Sequence, residues 1–378
     1  MRSRQRNPLA ARAIPSSDVV VSEVGLGQFA ESLSSVAEAS REAAASAGLR
    51  YVSSETLGIV RRRSGKGFAY QDRDGATVTD LATRERIYRL AIPPAWTEVR
   101  IAERPNAHLQ AVGFDQRGRL QYRYHPGFRE VRDAAKFDHL IAFAEGLSAL
   151  REQVRRDMAR PGLGRERVLA TVVRLLETTM IRVGGAAYAE ANKSYGLASL
   201  RSRHVEVHGG DLKFHFMGKS GKVWSVGVKD RRVARIVRAC QELPGQALFQ
   251  YLDVEGARQA ISSTDVNAYL KAASGAEISA KDFRTWWGTV LAAMALHAEP
   301  PAAGETDAKR KLKSVIATVS SVLGNTPAVC LKCYVHPKIV SAYLAGELSL
   351  RRPPHAVSDA DGLAPEERMV LNFLKRRA

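Results

Sequence analysis

Three cysteines in 378 residues are too few for a disulfide framework, and they fit a reducing compartment. No apolar run is long enough to span a bilayer, so no membrane is expected among the partners. The first dozen residues carry Arg2, Arg4, Arg6 and Arg12 without an apolar segment behind them, which argues against a secretory signal. Their lack of acids leaves an organelle transit peptide as the rival reading. No acidic cluster suggests a Mg²⁺ site, and His125, His139 and His336 show no metal spacing. Cys330 and Cys333 have no second pair and no paired histidine for zinc, and read as helix-packing thiols rather than a redox pair. Gly65-Lys-Gly67 and Gly218-Lys-Ser-Gly221 lack the glycine register and the following helix of a nucleotide loop. The expectation is therefore no metal, no cofactor and no nucleotide, in a cytoplasmic protein.

Acidic residues are also scarce, 39 against 57 lysines and arginines, which gives a net charge of +18 and a pI near 10.1. Such a field suits a phosphate backbone and gives salt-sensitive, largely sequence-independent affinity, although a basic ribosome-associated protein has the same balance. At this length the chain can bury a sizeable core and hold two domains plus tails.

Residues 1–48 read as a basic arm, with a Ser/Ala/Glu-rich stretch at 31–47 that suits a loose amphipathic helix. Residues 49–125 read as a small β-rich domain. Its short strands surround the Asp74-Gly75 turn, a helix near 79–90 and the Asp115-Gln-Arg-Gly118 turn. From Pro126 to residue 350 the pattern is mainly helical. Val168, Leu169, Val172, Leu175, Leu176 and Met180 mark one helical face. A three-stranded meander at 204–228 interrupts the helices, which resume near 230–240, 263–272, 279–297, 308–323 and 327–348. Residues 351–378 read as a charged tail with one short helix. The fold class is α+β.

The chemistry concentrates in Leu323-Gly-Asn-Thr-Pro-Ala-Val-Cys-Leu-Lys-Cys-Tyr334 and three cations upstream. Thr326 followed by Pro327 is a strong helix start, which sets Tyr334 two turns into a helix. The cations are Arg182, Lys219 on a turn, and Arg284. Three of them alone have an ordinary reading: Arg182 as a helix-end cation, Lys219 as a solvated turn residue and Tyr334 as a half-buried core tyrosine. Together they suit attack of a phenolic oxygen on a phosphodiester. Guanidinium forks match the non-bridging oxygens of a pentacoordinate phosphorus and stabilise it without metal. A lysine among other cations can protonate the leaving alkoxide. A tyrosine can carry the phosphoryl group covalently.

In this order, and with spacings of 37 (182 to 219), 65 (219 to 284) and 50 (284 to 334), these residues resemble the type IB DNA topoisomerases of the poxvirus-like bacterial branch. Further resembling motifs are Arg86-Ile-Tyr-Arg-Leu-Ala-Ile-Pro-Pro-Ala-Trp96, Gln121-Tyr-Arg-Tyr-His-Pro126, Lys136-Phe-Asp-His139, Asn192-Lys-Ser-Tyr-Gly-Leu197 and Lys281-Asp-Phe-Arg284. The resemblance implies a catalytic domain of the tyrosine recombinase/type IB topoisomerase kind, with double-stranded DNA as partner, two domains that close round it, and a monomeric, nucleoid-associated protein. It implies that Arg182 and Arg284 contact the scissile phosphate, Lys219 is the general acid, and Tyr334 becomes linked to the 3′ phosphate. Asn325 falls where many relatives have histidine, and its amide can still donate. Lys281 is an auxiliary candidate. Tyr70, Tyr122 and Tyr188 are candidate DNA contacts, and Trp286 and Trp287 suit core packing. Two other readings are a tyrosine recombinase, which usually has His-x-x-Arg where this chain has Lys281-Asp-Phe-Arg284, and an inactive DNA-binding protein.

Overall fold

The computed structural model describes residues 38, 40–116, 118–351 and 362–377. Most of the expected basic arm, residues 1–37, lies outside them; residues 40–46 are helical. The chain divides between Ala134 and Ala135 into two units.

The first unit is built on five antiparallel strands in the order β2-β1-β3-β4-β5. These are β1 (Ile59–Ser64), β2 (Gly67–Gln71), β3 (Thr97–Ile101), β4 (Leu109–Phe114) and β5 (Leu120–Tyr124), with helix α1 (Leu81–Arg89) between β2 and β3. Asp80 starts α1 by accepting from the Thr83 amide at 2.8 Å, an ordinary N-cap. Arg61 points into this unit from β1 and is buried. Its guanidinium donates to the carbonyls of Pro93 (3.2 Å) and Trp96 (2.6 Å) and lies 4.1 Å over the Phe68 ring. The Pro93-Pro-Ala-Trp96 motif is thus a turn tied to the sheet by a buried cation, because its prolines leave carbonyls but no amides to pair.

The second unit begins inside helix α2 (Pro126–Ala159), not at Pro126 where the sequence pattern changes. The physical reason is that Phe128 and Val131, in the first turns of α2, pack against Ala43, Ala44, Leu49 and Tyr124 of the first unit. Next come α3 (Arg165–Thr179), α4 (Ala186–Asn192), and the meander β6 (Val205–His208), β7 (Asp211–Met217) and β8 (Val223–Lys229). Leu212, Phe214 and Phe216 of β7 alternate inward with a period of two and join the core. Then follow α5 (Arg231–Glu242), α6 (Ser263–Ser274), α7 (Ala280–Ala298), α8 (Glu305–Val322), α9 (Pro327–Tyr334), α10 (Pro337–Leu344) and α11 (Pro365–Lys375). A short hairpin, β9 (Gln250–Leu252) with β10 (Arg258–Ala260), has no counterpart in the sequence reading. Its turn, Asp253 to Gly256, is closed by Asp253 side-chain bonds to two amides.

Two expectations are corrected here. The single helix expected over 327–348 is two, because Pro337 has no amide hydrogen and holds His336 extended at φ −62, ψ 128. Tyr334 therefore ends its helix instead of sitting within a longer one. The stretch read as a charged tail ends in α11, whose Met369, Val370, Leu371, Phe373 and Leu374 are buried in the main core. The high charge of this stretch conceals an apolar face.

One carboxylate holds α11 in place. Glu367 is fully buried and accepts from Trp286 Nε1 (2.8 Å), Arg151 Nη1 (2.8 Å) and Nη2 (2.9 Å), and the Ala364 amide (2.9 Å). Arg151 also pairs with Glu177 of α3 at 2.5 Å. The network joins α2, α3, α7 and α11. Removing one member leaves an uncompensated buried charge, so Glu367→Ala is expected to destabilise the second unit by about 3–5 kcal/mol in urea unfolding, and Glu367→Gln by less. A loss below ~1 kcal/mol for Glu367→Ala would place this pair with ordinary surface ion pairs.

Candidate active site

Helix α7 is the foundation of the site. Ser279 and Asp282 form its capping box: Asp282 Oδ2 accepts from the Ser279 amide at 2.8 Å and its hydroxyl at 3.0 Å. This fixes the start of the helix and explains the acid in Lys281-Asp-Phe-Arg284. Phe283 and Arg284 then face inward, at 2% and 4% exposure.

The Arg284 guanidinium donates through Nη1 to the Met180 carbonyl and through Nη2 to the Leu323 carbonyl. Met180 caps α3 in the left-handed conformation, and Leu323 caps α8. Both are helix ends whose carbonyls lack amide partners and whose dipoles favour a cation. Burial pushes the Arg284 pKa down to about 10, helped by the nearby Arg182 charge and opposed by the Tyr334 hydroxyl. The group still stays protonated near neutrality. Its Nε is buried without a hydrogen-bond partner among the described residues.

The two loops that Arg284 ties carry the next two site residues. Arg182, half-buried two residues past the α3 cap, donates through Nη2 to Asn325 Oδ1. The Asn325 amide nitrogen Nδ2 is buried and has no hydrogen-bond partner among the described residues. The backbone around Arg182 is packed too tightly for side chains. A Cβ on Gly196 would stand 2.5 Å from the Arg182 carbonyl oxygen and 2.6 Å from the Gly184 nitrogen. Gly184 itself has φ +72, a conformation that suits glycine. These two glycines let the 180–184 and 196–199 segments pair through Leu197 N to Arg182 O (2.9 Å) and Ala198 N to Val183 O (2.7 Å).

Tyr334 arrives from the other side of the sequence. Thr326 caps α9 and Pro327 opens it, as the sequence implies. The end of the helix is seated on α7. The Tyr334 carbonyl accepts from Thr289 Oγ1 at 3.3 Å, and a Cβ on Gly288 would come within 2.5 Å of that carbonyl. Arg284 and Gly288 are one turn apart on the same helix face. One helix therefore supplies both the buried guanidinium and the seat of the tyrosine, and the Arg284 guanidinium carbon lies 5.2 Å from the Tyr334 ring centre.

Arg182, Arg284, Asn325 and Tyr334 thus converge from four separate segments. Residues 125–347 match the family model described as eukaryotic DNA topoisomerase I, catalytic core. Residues 67–115 match that of the bacterial DNA topoisomerase IB N-terminal domain. Over 286 residues, 74% of this chain and 85% of the relative, the chain is 33% identical to DNA topoisomerase 1B of Acanthamoeba polyphaga mimivirus. The chain belongs to the type IB DNA topoisomerase family. It is an ATP-independent DNA topoisomerase, and the α+β fold expected from the sequence is the one observed.

The remaining candidate residues of this topoisomerase are placed less centrally. Lys219 is exposed at the tip of the β7–β8 hairpin, where Ser220 has φ 64. Among the described residues no hydrogen bond or ion pair links Lys219 to Tyr334 or the two arginines. Its neighbour Lys222 reaches the site instead, donating to the Asn325 carbonyl at 3.3 Å. Lys281 is exposed in the first turn of α7. Tyr122 and Tyr188 are exposed, at 45% and 38%. Tyr70 is not available as a groove contact: it is 9% exposed and packs in the sheet core of the first unit with Ile59, Val99 and Ile101. The alternation of β2 turns it inward. Cys330 is fully buried, and burial pushes its thiol up to about 11. Trp286 is a core residue.

The sequence reading missed Gly196, Gly288, Thr289 and Trp224. Trp224 of β8 closes against both Gly218 and Gly324, the residues just before Lys219 and Asn325. A glycine directly before Lys219 and before Asn325 was the available signal for Trp224. Because the Arg182 loop depends on a gap too small for a methyl group, Gly196→Ala is expected to slow single-turnover DNA cleavage by ~10-fold or more while duplex binding persists. Cleavage at the rate of the unmodified protein would show that the loop tolerates the displacement.

Proposed function

We propose that this topoisomerase relaxes supercoiled duplex DNA through a 3′-phosphotyrosine intermediate formed on Tyr334. The observation that carries this reading is the pair of buried donors without protein partners, Arg284 Nε and Asn325 Nδ2, beside Tyr334 and Arg182. Buried donors nearly always have acceptors, so two unpaired donors in one cluster suit an acceptor-rich substrate group. A phosphodiester supplies acceptors and negative charge, and two guanidiniums with one amide suit its non-bridging oxygens.

In the proposed reaction the Tyr334 oxygen bonds to phosphorus and its phenolic proton leaves to solvent. The bond from phosphorus to the 5′ oxygen breaks, and Lys219 gives that oxygen a proton. The free end turns about the intact strand under torsional stress. The 5′ hydroxyl then attacks phosphorus and returns its proton to Lys219, the bond from phosphorus to the Tyr334 oxygen breaks, and that oxygen regains a proton from solvent. Bond energy is kept in the covalent link, so no nucleotide is consumed. Arg182 and Arg284 hold the extra charge of the pentacoordinate state, and Asn325, which is uncharged, contributes less there than a cationic side chain. The net charge of +18 and the exposed Tyr122 and Tyr188 support double-stranded DNA as the partner. No single helix among the described residues is long and apolar enough to cross a membrane. We place the protein with the DNA, as a monomer in the cytoplasm.

A plasmid relaxation assay with EDTA and without ATP should give a ladder of relaxed topoisomers. Tyr334→Phe should bind duplex DNA, give no relaxation, and form no adduct on denaturing gels; an adduct in that variant would mean another nucleophile. Lys219→Ala should cleave ordinary DNA slowly, by ~10²-fold or more. It should recover on a substrate whose bridging 5′ oxygen is sulfur, because a thiolate leaves without a proton. The same sulfur should not restore Arg182→Ala. An equal sulfur effect in the unmodified protein and in Lys219→Ala would remove Lys219 from the acid role.

A further inference from the structure

Lys136-Phe-Asp-His139 resembles the family sequence without any role following from that resemblance. In the structure Lys136 projects from α2 to the end of the nucleophile helix, and its Nζ donates to the carbonyl of Cys333, the residue immediately before Tyr334. That carbonyl belongs to the last turn of α9, where no following helical amide can reach it, and a lysine is a suitable donor there. The same ammonium lies 5.5 Å from the centre of the Tyr334 ring and 4.6 Å from that of Phe137. Phe137 is buried at 4% and stacks at a tilt on His336, 5.2 Å between centres, which fixes the base of the lysine. His336 is held neutral, its pKa pushed down to about 4 chiefly by burial, so it does not compete as a cation. The other cation over this ring is Arg284 from α7, 5.2 Å from its centre, and Arg284 in turn feels the charge of Arg182 from the loop after α3.

We propose that Lys136 is a positioning residue for the nucleophile. Its bond to Cys333 fixes where the backbone of α9 ends and hence where the phenol points. Its charge, a second cation beside the ring after Arg284, offsets the negative charge that develops on the Tyr334 oxygen as the proton leaves for solvent and the bond to phosphorus forms. This role lies on the nucleophile side of phosphorus, opposite to that of Lys219. It rests on Tyr334 as the nucleophile.

The test uses the full chain in excess over end-labelled duplex, in a single turnover. Lys136→Met, close in shape but uncharged, should cleave ~10–100-fold more slowly. The loss should be the same on the oxygen and the sulfur substrate, since the leaving group is not where Lys136 acts. Duplex binding, measured in a Tyr334→Phe background so that no cleavage intervenes, should change by less than about 2-fold. Lys136→Arg should recover most of the rate. Cleavage of Lys136→Met at the unmodified rate overturns the proposal. So does rescue by sulfur, which would make Lys136 an acid for the leaving group. A parallel loss of binding overturns it too, since that would make Lys136 a DNA contact. If Lys136→Met melts near the assay temperature, Lys136→Arg decides: normal melting with methionine-like cleavage also overturns it. An adduct formed by Tyr334→Phe alone would instead overturn the assignment of the nucleophile.

Discussion

The site depends on one buried guanidinium bonded to two helix ends. Burying an arginine without partners costs several kcal/mol, and each charged hydrogen bond returns ~1.5–3 kcal/mol. Arg284 meets this condition by donating to the Met180 and Leu323 carbonyls, which would themselves be buried without a donor if it were absent. Its charge and the two helix dipoles favour one another. The arrangement has a functional consequence. The loop after α3 carries Arg182 and the loop after α8 carries Asn325, so the residue that contacts phosphate in the proposed reaction also sets the separation of its two helpers.

The second constraint is close packing of backbone. Gly196 against the Arg182 carbonyl, Gly288 against the Tyr334 carbonyl, and Gly324 against Trp224 each occupy a place where a Cβ would lie within 2.9 Å of another atom. Interiors packed at crystal density transmit displacements instead of absorbing them. Tyrosine, arginine and asparagine are therefore located by backbone contacts and not by side-chain bonds alone. Lys219 is the exception. It stands exposed at a hairpin tip, and what reaches from that hairpin to the rest of the site is Trp224 and Lys222. This division suits a reaction in which phosphate is held by fixed groups and the proton donor meets the leaving oxygen only with DNA present.

Charge patterning obscured structure in two places. Residues 365–375 carry enough charge to read as a tail, yet their apolar residues fall on one helical face and close the core beside α7. Arg61 is the first of three successive arginines in β1 and the one turned inward, where it takes up the carbonyls of the proline turn. In both cases the period of the secondary structure, two or 3.6, decides what composition alone averages away.

Local interactions determined what the sequence by itself could determine. Thr326 and Pro327 start the Tyr334 helix, alternating apolar residues specify the meander, and the order of Arg182, Lys219, Arg284 and Tyr334 along the chain points to the proposed chemistry, because capping, periodicity and functional group are properties of neighbouring residues. The tertiary structure alone decided that Arg284 is bonded through its terminal nitrogens, that Asn325 and Arg182 are partners, that Tyr70 is core, and that Lys136 reaches the residue before Tyr334. Each of these joins positions that are far apart along the chain or depends on which face of an element is covered. Such contacts are set by how the helices pack, and no local preference of the chain encodes them.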